Sequence, residues 1–114
     1  MPRNTRYVIA SKGLADGEHF SDPGVLVLAS LADGPKHGYA MIDDIEQMVG
    51  TRLGPGTLYG AIGRLERDEL IQPLDAQERR QPYRITAEGK RVLAAKLATL
   101  RRVALTGLKR LNAI

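Results

Sequence analysis

The chain has no cysteine, no tryptophan, one phenylalanine and two histidines in 114 residues. Without cysteine it has neither disulfides nor thiolate metal ligands. His19 and His37 stand eighteen positions apart in different contexts, so with no cysteine no metal site or other cofactor is expected, and His37, at the start of a helix, reads as structural or as a phosphate neighbour. The apolar run Val25-Leu26-Val27-Leu28-Ala29 is much shorter than the roughly 20 residues that span a bilayer. Arg3 and Arg6 near the start are not followed by an apolar stretch and a small-residue cleavage site, so a secretory signal is not expected and a cytoplasmic location is the default. No nucleophile, base and orienting group can be grouped together, which argues against an enzyme. Gly54-Pro55-Gly56-Thr57 lacks the Lys-Ser/Thr of a nucleotide-cradling loop, and no strand precedes it. Asp43 and Asp44 are adjacent on a helical segment and diverge, as residues of a solvated face do rather than a catalytic pair.

Hydrophobic residues make up 43% of the chain, enough for the core of one small domain. The net charge is +4 and is unevenly spread. Residues 1–50 hold four basic and seven acidic groups, whereas residues 51–114 hold thirteen basic and six acidic. An anionic partner is therefore expected at the second half.

Residues 1–20 are polar and broken by glycine, with a short helix predicted at Thr5 to Lys12. Ser21-Asp22-Pro23 reads as a helix start, a capping side chain ahead of a proline. A helix follows to about Ala32, with Val25, Leu28, Ala29 and Leu31 inward, and Asp33-Gly34-Pro35 ends it. A second helix is predicted from His37 to Met48, with Tyr39, Ile42, Ile45 and Met48 or Val49 at helical spacing and Gly50 as its stop. Pro55 opens a third, whose inward residues are Leu58, Ile62, Leu65 and Leu70. Strands at Ile71–Leu74 and Pro82–Ile85 make a two-stranded hairpin with Arg79 and Arg80 near its tip. Thr86 caps a last helix from Ala87 to about Asn112. The expected fold is mainly α with a small antiparallel hairpin, in three parts. Residues 1–20 form an N-terminal arm, 21–86 a winged helix-turn-helix, and 87–114 a C-terminal helix.

Gly54, Gly56 and Thr57 expose the start of the third helix, where free N–H groups and the helix dipole favour an anion. Gly60 and Gly63 lie on one face of it. Either something approaches the backbone closely there, or a neighbouring helix needs the room. The alternation of Tyr83, Arg84 and Ile85 gives the hairpin one dry and one wet face. In the last helix Leu93, Leu97, Leu100, Ala104, Leu108 and Leu111 step by threes and fours. This stripe is too long for so small a core to cover and implies a second copy of the chain as a homodimer. The helix is also basic and leucine-rich, the signature of a membrane-surface helix, which is the rival reading.

The chain resembles the PadR family of bacterial transcriptional regulators. The match rests on three segments in this order: Asp33-Gly34-Pro35-Lys36-His37-Gly38-Tyr39; Pro55-Gly56-Thr57-Leu58-Tyr59 with Arg64-Leu65-Glu66; and Arg79-Arg80-Gln81-Pro82-Tyr83-Arg84-Ile85-Thr86-Ala87-Glu88-Gly89. It extends over about residues 22–112, and the single long C-terminal helix looks like the short subclass. The resemblance implies a dimeric DNA-binding protein, usually a repressor and often released by a small-molecule effector. Its partner would be a double-stranded, pseudo-palindromic operator, with no membrane involved. Gly56, Thr57, Tyr59 and Arg64 would contact DNA from the recognition helix, Lys36 and Tyr39 from the preceding turn and helix, and Arg79, Arg80 and Arg84 from the wing. The alternative is a winged-helix protein-interaction module that does not bind DNA. Some short-form relatives stack flat aromatic ligands at the dimer centre. The absence of tryptophan here argues against a pocket of that type. Three residues depart from the family pattern. Gly54 replaces a capping serine, Glu69 replaces a helix-ending glycine, and Pro82 should restrict its strand to an edge or the hairpin to a short one.

Overall fold

The computed structural model describes residues 22–113. In chain order their elements are α1 (Pro23–Leu31), β1 (Lys36–His37), α2 (Gly38–Val49), α3 (Pro55–Arg67), β2 (Ile71–Pro73), β3 (Pro82–Ile85) and α4 (Ala87–Asn112). The helix predicted at Thr5 to Lys12 lies outside the described residues. The mainly α architecture with a small antiparallel sheet is the one expected. No helix among the described residues is long and apolar enough to cross a membrane.

Asp22 starts α1, its Oδ1 accepting from the Gly24 N–H at 2.8 Å, and Pro23 occupies the first turn, where its missing N–H costs nothing. Val25, Leu26, Val27, Leu28, Ser30 and Leu31 are all buried, so α1 is covered on more sides than the single predicted face. It packs on α2, α3, α4 and β3. Burying one such aliphatic side chain is worth about 1.5–3 kcal/mol. The one buried polar residue of the described core is Ser30, whose Oγ donates to Asp44 Oδ2 at 2.7 Å and ties α1 to α2. Lys36 then folds back over the end of α1. Its Nζ donates to the Ser30 carbonyl at 2.5 Å and to Asp33 Oδ1 at 2.6 Å, and that hydrogen bond holds the Asp33 carboxyl below its ordinary range.

In α2 the buried face is Gly38, Met41, Ile42 and Ile45. Tyr39, expected inward, is exposed because it lies about 100° around the helix from Gly38. Met48 and Val49 are exposed as well. Gly50 ends the helix at φ 82°. The two aspartates are not simply solvated. Asp44 holds Ser30, while Asp43 and Glu46 both receive Arg52, at 2.9 and 2.8 Å. Those two carboxylates, Asp43 first, raise the Arg52 pKa and draw the following loop onto α2. Leu53, buried in the same loop, anchors it.

Helix α3 buries Leu58, Ala61, Ile62 and Leu65. Its Gly54 cap makes no side-chain hydrogen bond, in keeping with the missing serine. At the other end Glu69 takes the left-handed conformation at φ 62°. The Leu70 N–H reaches the Leu65 carbonyl at 2.9 Å and the Glu69 N–H reaches that of Glu66 at 3.0 Å, the bond pair of a Schellman cap. Packing of Leu70 against the core holds the chain in this turn although glutamate disfavours it.

The sheet has three strands, not two, in the order β1-β3-β2. β1 was missed because two residues carry no alternation to detect. It pairs antiparallel with β3, Lys36 opposite Tyr83 and His37 opposite Pro82. β3 is therefore central, so of the two outcomes expected from Pro82 the edge position is overturned and the short hairpin, with strands of three and four residues, is found. Proline is accommodated as the first residue of a short strand, and its neighbour makes good its missing donor. The Leu74 N–H donates to the Pro82 carbonyl at 2.9 Å, so a regular ladder would return an N–H from residue 82 to the Leu74 carbonyl. Gln81 Nε2 supplies that bond instead, at 2.6 Å. At the hairpin tip Gln77 and Arg80 exchange two 2.9 Å backbone bonds, with Glu78 at φ 58° in the turn between them.

Thr86 caps α4, its Oγ1 accepting from the Gly89 N–H at 3.0 Å. A side chain at Gly89 would collide with the Leu70 carbonyl. Leu93 is the last buried residue of α4, and residues 94–113 are exposed throughout.

Two substitutions test these local arguments by urea denaturation. Glu69→Gly relieves the left-handed strain and raises stability by about 0.5–1 kcal/mol. Gln81→Ala strands the Leu74 carbonyl and lowers stability by about 1 kcal/mol, a loss that Pro82→Val cancels by restoring a backbone donor.

Candidate nucleic-acid interface

The start of α3 is bare. Gly54, Gly56 and Thr57 are exposed, and beyond the adjoining residues and the helix's own backbone nothing lies within 4 Å of where a Cβ on Gly54 or Gly56 would sit. The first-turn N–H groups and the positive end of the helix dipole thus face solvent. The bareness continues along the helix. A Cβ on Gly63 would meet nothing, and one on Gly60 only Arg64 Nη1 at 3.7 Å. Of the two readings of these glycines, the neighbouring helix is ruled out among the described residues. Gly56, Gly60 and Gly63 follow at i, i+4 and i+7, which puts a strip of exposed backbone on one face with Arg64 beside it.

Tyr59 is half-exposed but fixed. Its hydroxyl and ring edge lie over Gly38 so closely that a Cβ there would overlap them. Tyr83 is near enough to feel it. Burial pushes the Tyr83 hydroxyl pKa up, and Glu66 and Tyr59 add to the shift. Tyr39 projects into solvent. Lys36, read as a backbone contact, has its ammonium turned to Ser30 and Asp33 in this state.

In the wing, Arg84 Nη2 donates to Gln72 Oε1 at 2.8 Å, between residues opposite each other in the β2–β3 register. Arg79 is exposed in the tip turn. Arg80 Nη1 approaches His37 Nε2 at 3.4 Å. The segment Lys36-His37-Gly38 is thus the junction of the surface. Gly38 receives Tyr59 of α3, and His37 meets the wing. Sequence periodicity had no means of showing this, since it depends on the pairing of β1 with β3.

Of the stripe residues on α4, Leu93 belongs to the protomer's own core. Leu97, Leu100, Ala104, Leu108 and Leu111 are exposed, together with Val103 and Leu105.

Three helices around a buried α1, an open-faced α3 and a short basic hairpin paired back to the turn before α2 define a winged helix-turn-helix. The model of the transcriptional regulator PadR-like family matches residues 27–95, and the chain belongs to that family of transcriptional regulators. A PadR family transcription regulator from Clostridium difficile R20291 superposes with a TM-score of 0.71 at 26% identity, over 78% of this chain and 97% of that one. The PadR family regulator from Eggerthella lenta DSM 2243 does so with a TM-score of 0.70 at 26% identity, over 96% of both chains. A 37.1 kDa protein in transposon TN4556 of Streptomyces fradiae is 46% identical over 83 residues, 73% of this chain and 24% of that protein. The chain thus spans about a quarter of the length of this relative.

Gly38→Ala tests the junction. The methyl group displaces Tyr59, and the substitution lowers stability by about 1–3 kcal/mol in thermal or urea melts. In a Tyr59→Ala background most of that cost disappears.

Proposed function

We propose that the protein is a homodimeric DNA-binding repressor in which α3 enters the major groove and the wing holds the flanking backbone. The observation that carries this reading is the bare outer face of α3. A helix that reads a groove needs close backbone approach, and Gly56, Gly60 and Gly63 allow it where larger side chains would hold the duplex off. Thr57 and Arg64 offer donors to base edges or phosphates from the same helix. Tyr59, held by Gly38, and Tyr39 serve the backbone beside it. Arg79, Arg80 and Arg84 are the wing contacts. Lys36 joins them only by releasing Asp33.

Residues 21–86 form the DNA-binding unit in this scheme, and 87–114 the dimerisation helix. α4 is 26 residues long, about 39 Å, and its outer apolar side chains from Leu97 to Leu111 are uncovered among the described residues. A second α4 would bury them and give the protein the two-fold symmetry of an operator with half-sites about one helical turn apart.

Titration with duplex DNA at two salt concentrations separates this reading from a winged helix that binds only protein. The DNA binder loses affinity steeply with salt. Combined Arg79→Ala and Arg80→Ala flattens the log–log slope by about 1.8 per protomer, and unchanged affinity refutes the wing assignment. Leu100→Asp, checked by light scattering, yields monomers. A variant that stays dimeric rejects the stripe as the interface.

A further inference from the structure

His37 and Arg80 meet at the base of the wing, and the roles of donor and acceptor in their contact are set by the imidazole tautomer. His37 is the residue before α2, and its Nδ1 accepts from the Ala40 N–H at 3.4 Å. A ring nitrogen that accepts carries no proton, so the neutral imidazole has its hydrogen on Nε2. That N–H faces Arg80 Nη1 at 3.4 Å. Arginine has donors only, so neither group can accept from the other. Among the described residues, no hydrogen bond or ion pair joins either group to an acceptor between them. The ion pairs of the described residues are Lys36–Asp33, Arg52–Asp43, Arg52–Glu46 and Arg91–Glu88, and Glu78, though it lines the same cleft, is not among them. The cleft is about 430 Å³, bounded by His37, Gln77, Glu78, Arg80 and Pro82. It has room for a phosphate group.

We propose that His37 Nε2–H and the Arg80 guanidinium close together on one backbone phosphate of duplex DNA, so that a single anion ties the wing to the start of α2. This rests on the DNA-binding reading above and adds His37 to its contacts. Two donors with one positive charge between them match the monoanionic phosphodiester better than free phosphate, which carries more charge and more acceptors. The two donors are also placed in advance. His37 is paired with Pro82 across β1 and β3, and the Arg80 backbone is locked to Gln77 in the tip turn. Little ordering of backbone remains to be done when the phosphate arrives. The ion count at this phosphate is set by the Arg80 guanidinium, which is always charged.

The test uses the full chain and a random-sequence duplex, since phosphate contacts are independent of sequence. His37→Asn keeps an acceptor for the Ala40 N–H and removes the outer donor. His37→Asn and Arg80→Gln each weaken binding about fivefold or more. Arg80→Gln also lowers the salt slope by about 0.9 per protomer, whereas His37→Asn leaves it unchanged. The double variant is no weaker than Arg80→Gln alone, because both lose the same phosphate. His37→Asn combined with Arg79→Gln multiplies instead. A His37→Asn variant that binds like the unaltered chain, or multiplying effects of His37 and Arg80, overturns the proposal while leaving DNA binding intact. An unaltered chain that fails to bind the duplex overturns both. Long-range proton–nitrogen NMR on the unaltered free chain reads the tautomer directly, and a proton on Nδ1 refutes the pairing. Inorganic phosphate at constant ionic strength shifts the His37 resonances only at concentrations well above those of duplex phosphate. The reverse order overturns the backbone as the source of the anion.

Discussion

Everything in this domain is arranged around the burial of α1. A nine-residue helix with apolar side chains on nearly all sides cannot rest at a surface. It must be enclosed, and α2, α3, α4 and β3 enclose it. Since α2 and α3 spend their inner faces on α1, their outer faces are left to solvent. The only way for α3 to be both anchored and bare is to bury Leu58, Ala61, Ile62 and Leu65 while presenting glycines outward. The exposed strip of backbone thus follows from how the core is covered.

A second constraint acts at the junction before α2. In three successive residues Lys36 closes the end of α1, His37 caps α2 and pairs with the wing strand, and Gly38 makes room for Tyr59. The orientation of α3 and that of the wing are coupled there through steric fit and two backbone pairings rather than through a large hydrophobic contact. A surface built this way keeps its geometry with few residues. It also concentrates the consequences of substitution in one short segment.

The departures from the family pattern illustrate how local rules yield to tertiary demands. Glutamate occupies a left-handed position because Leu70 packs into the core and drags the turn with it. Proline begins a central strand because Gln81 reaches round to provide the donor that Pro82 lacks. In each case the local cost is small beside the burial or bonding that it permits.

The helices, the strands β2 and β3 and most of the core were legible in the sequence because their signals are local. Asp22, Thr86 and the prolines mark helix starts by their own chemistry, Gly50 marks an end, and apolar spacing marks the buried faces of α3 and the early turns of α4. The uncovered stripe on α4 was legible for the same reason, being a periodicity longer than any core of this size can absorb. What the sequence left open was whatever depends on residues distant in the chain. Strand β1 exists only because β3 lies beside it. The inward face of α2 is set by where α1 lies, which turned Tyr39 outward. Lys36 is folded onto Asp33, Leu93 is claimed by the protomer's core, and His37 meets Arg80, 43 positions away. Composition and periodicity determine what each segment can bury, whereas tertiary packing decides which of its polar groups still face outward.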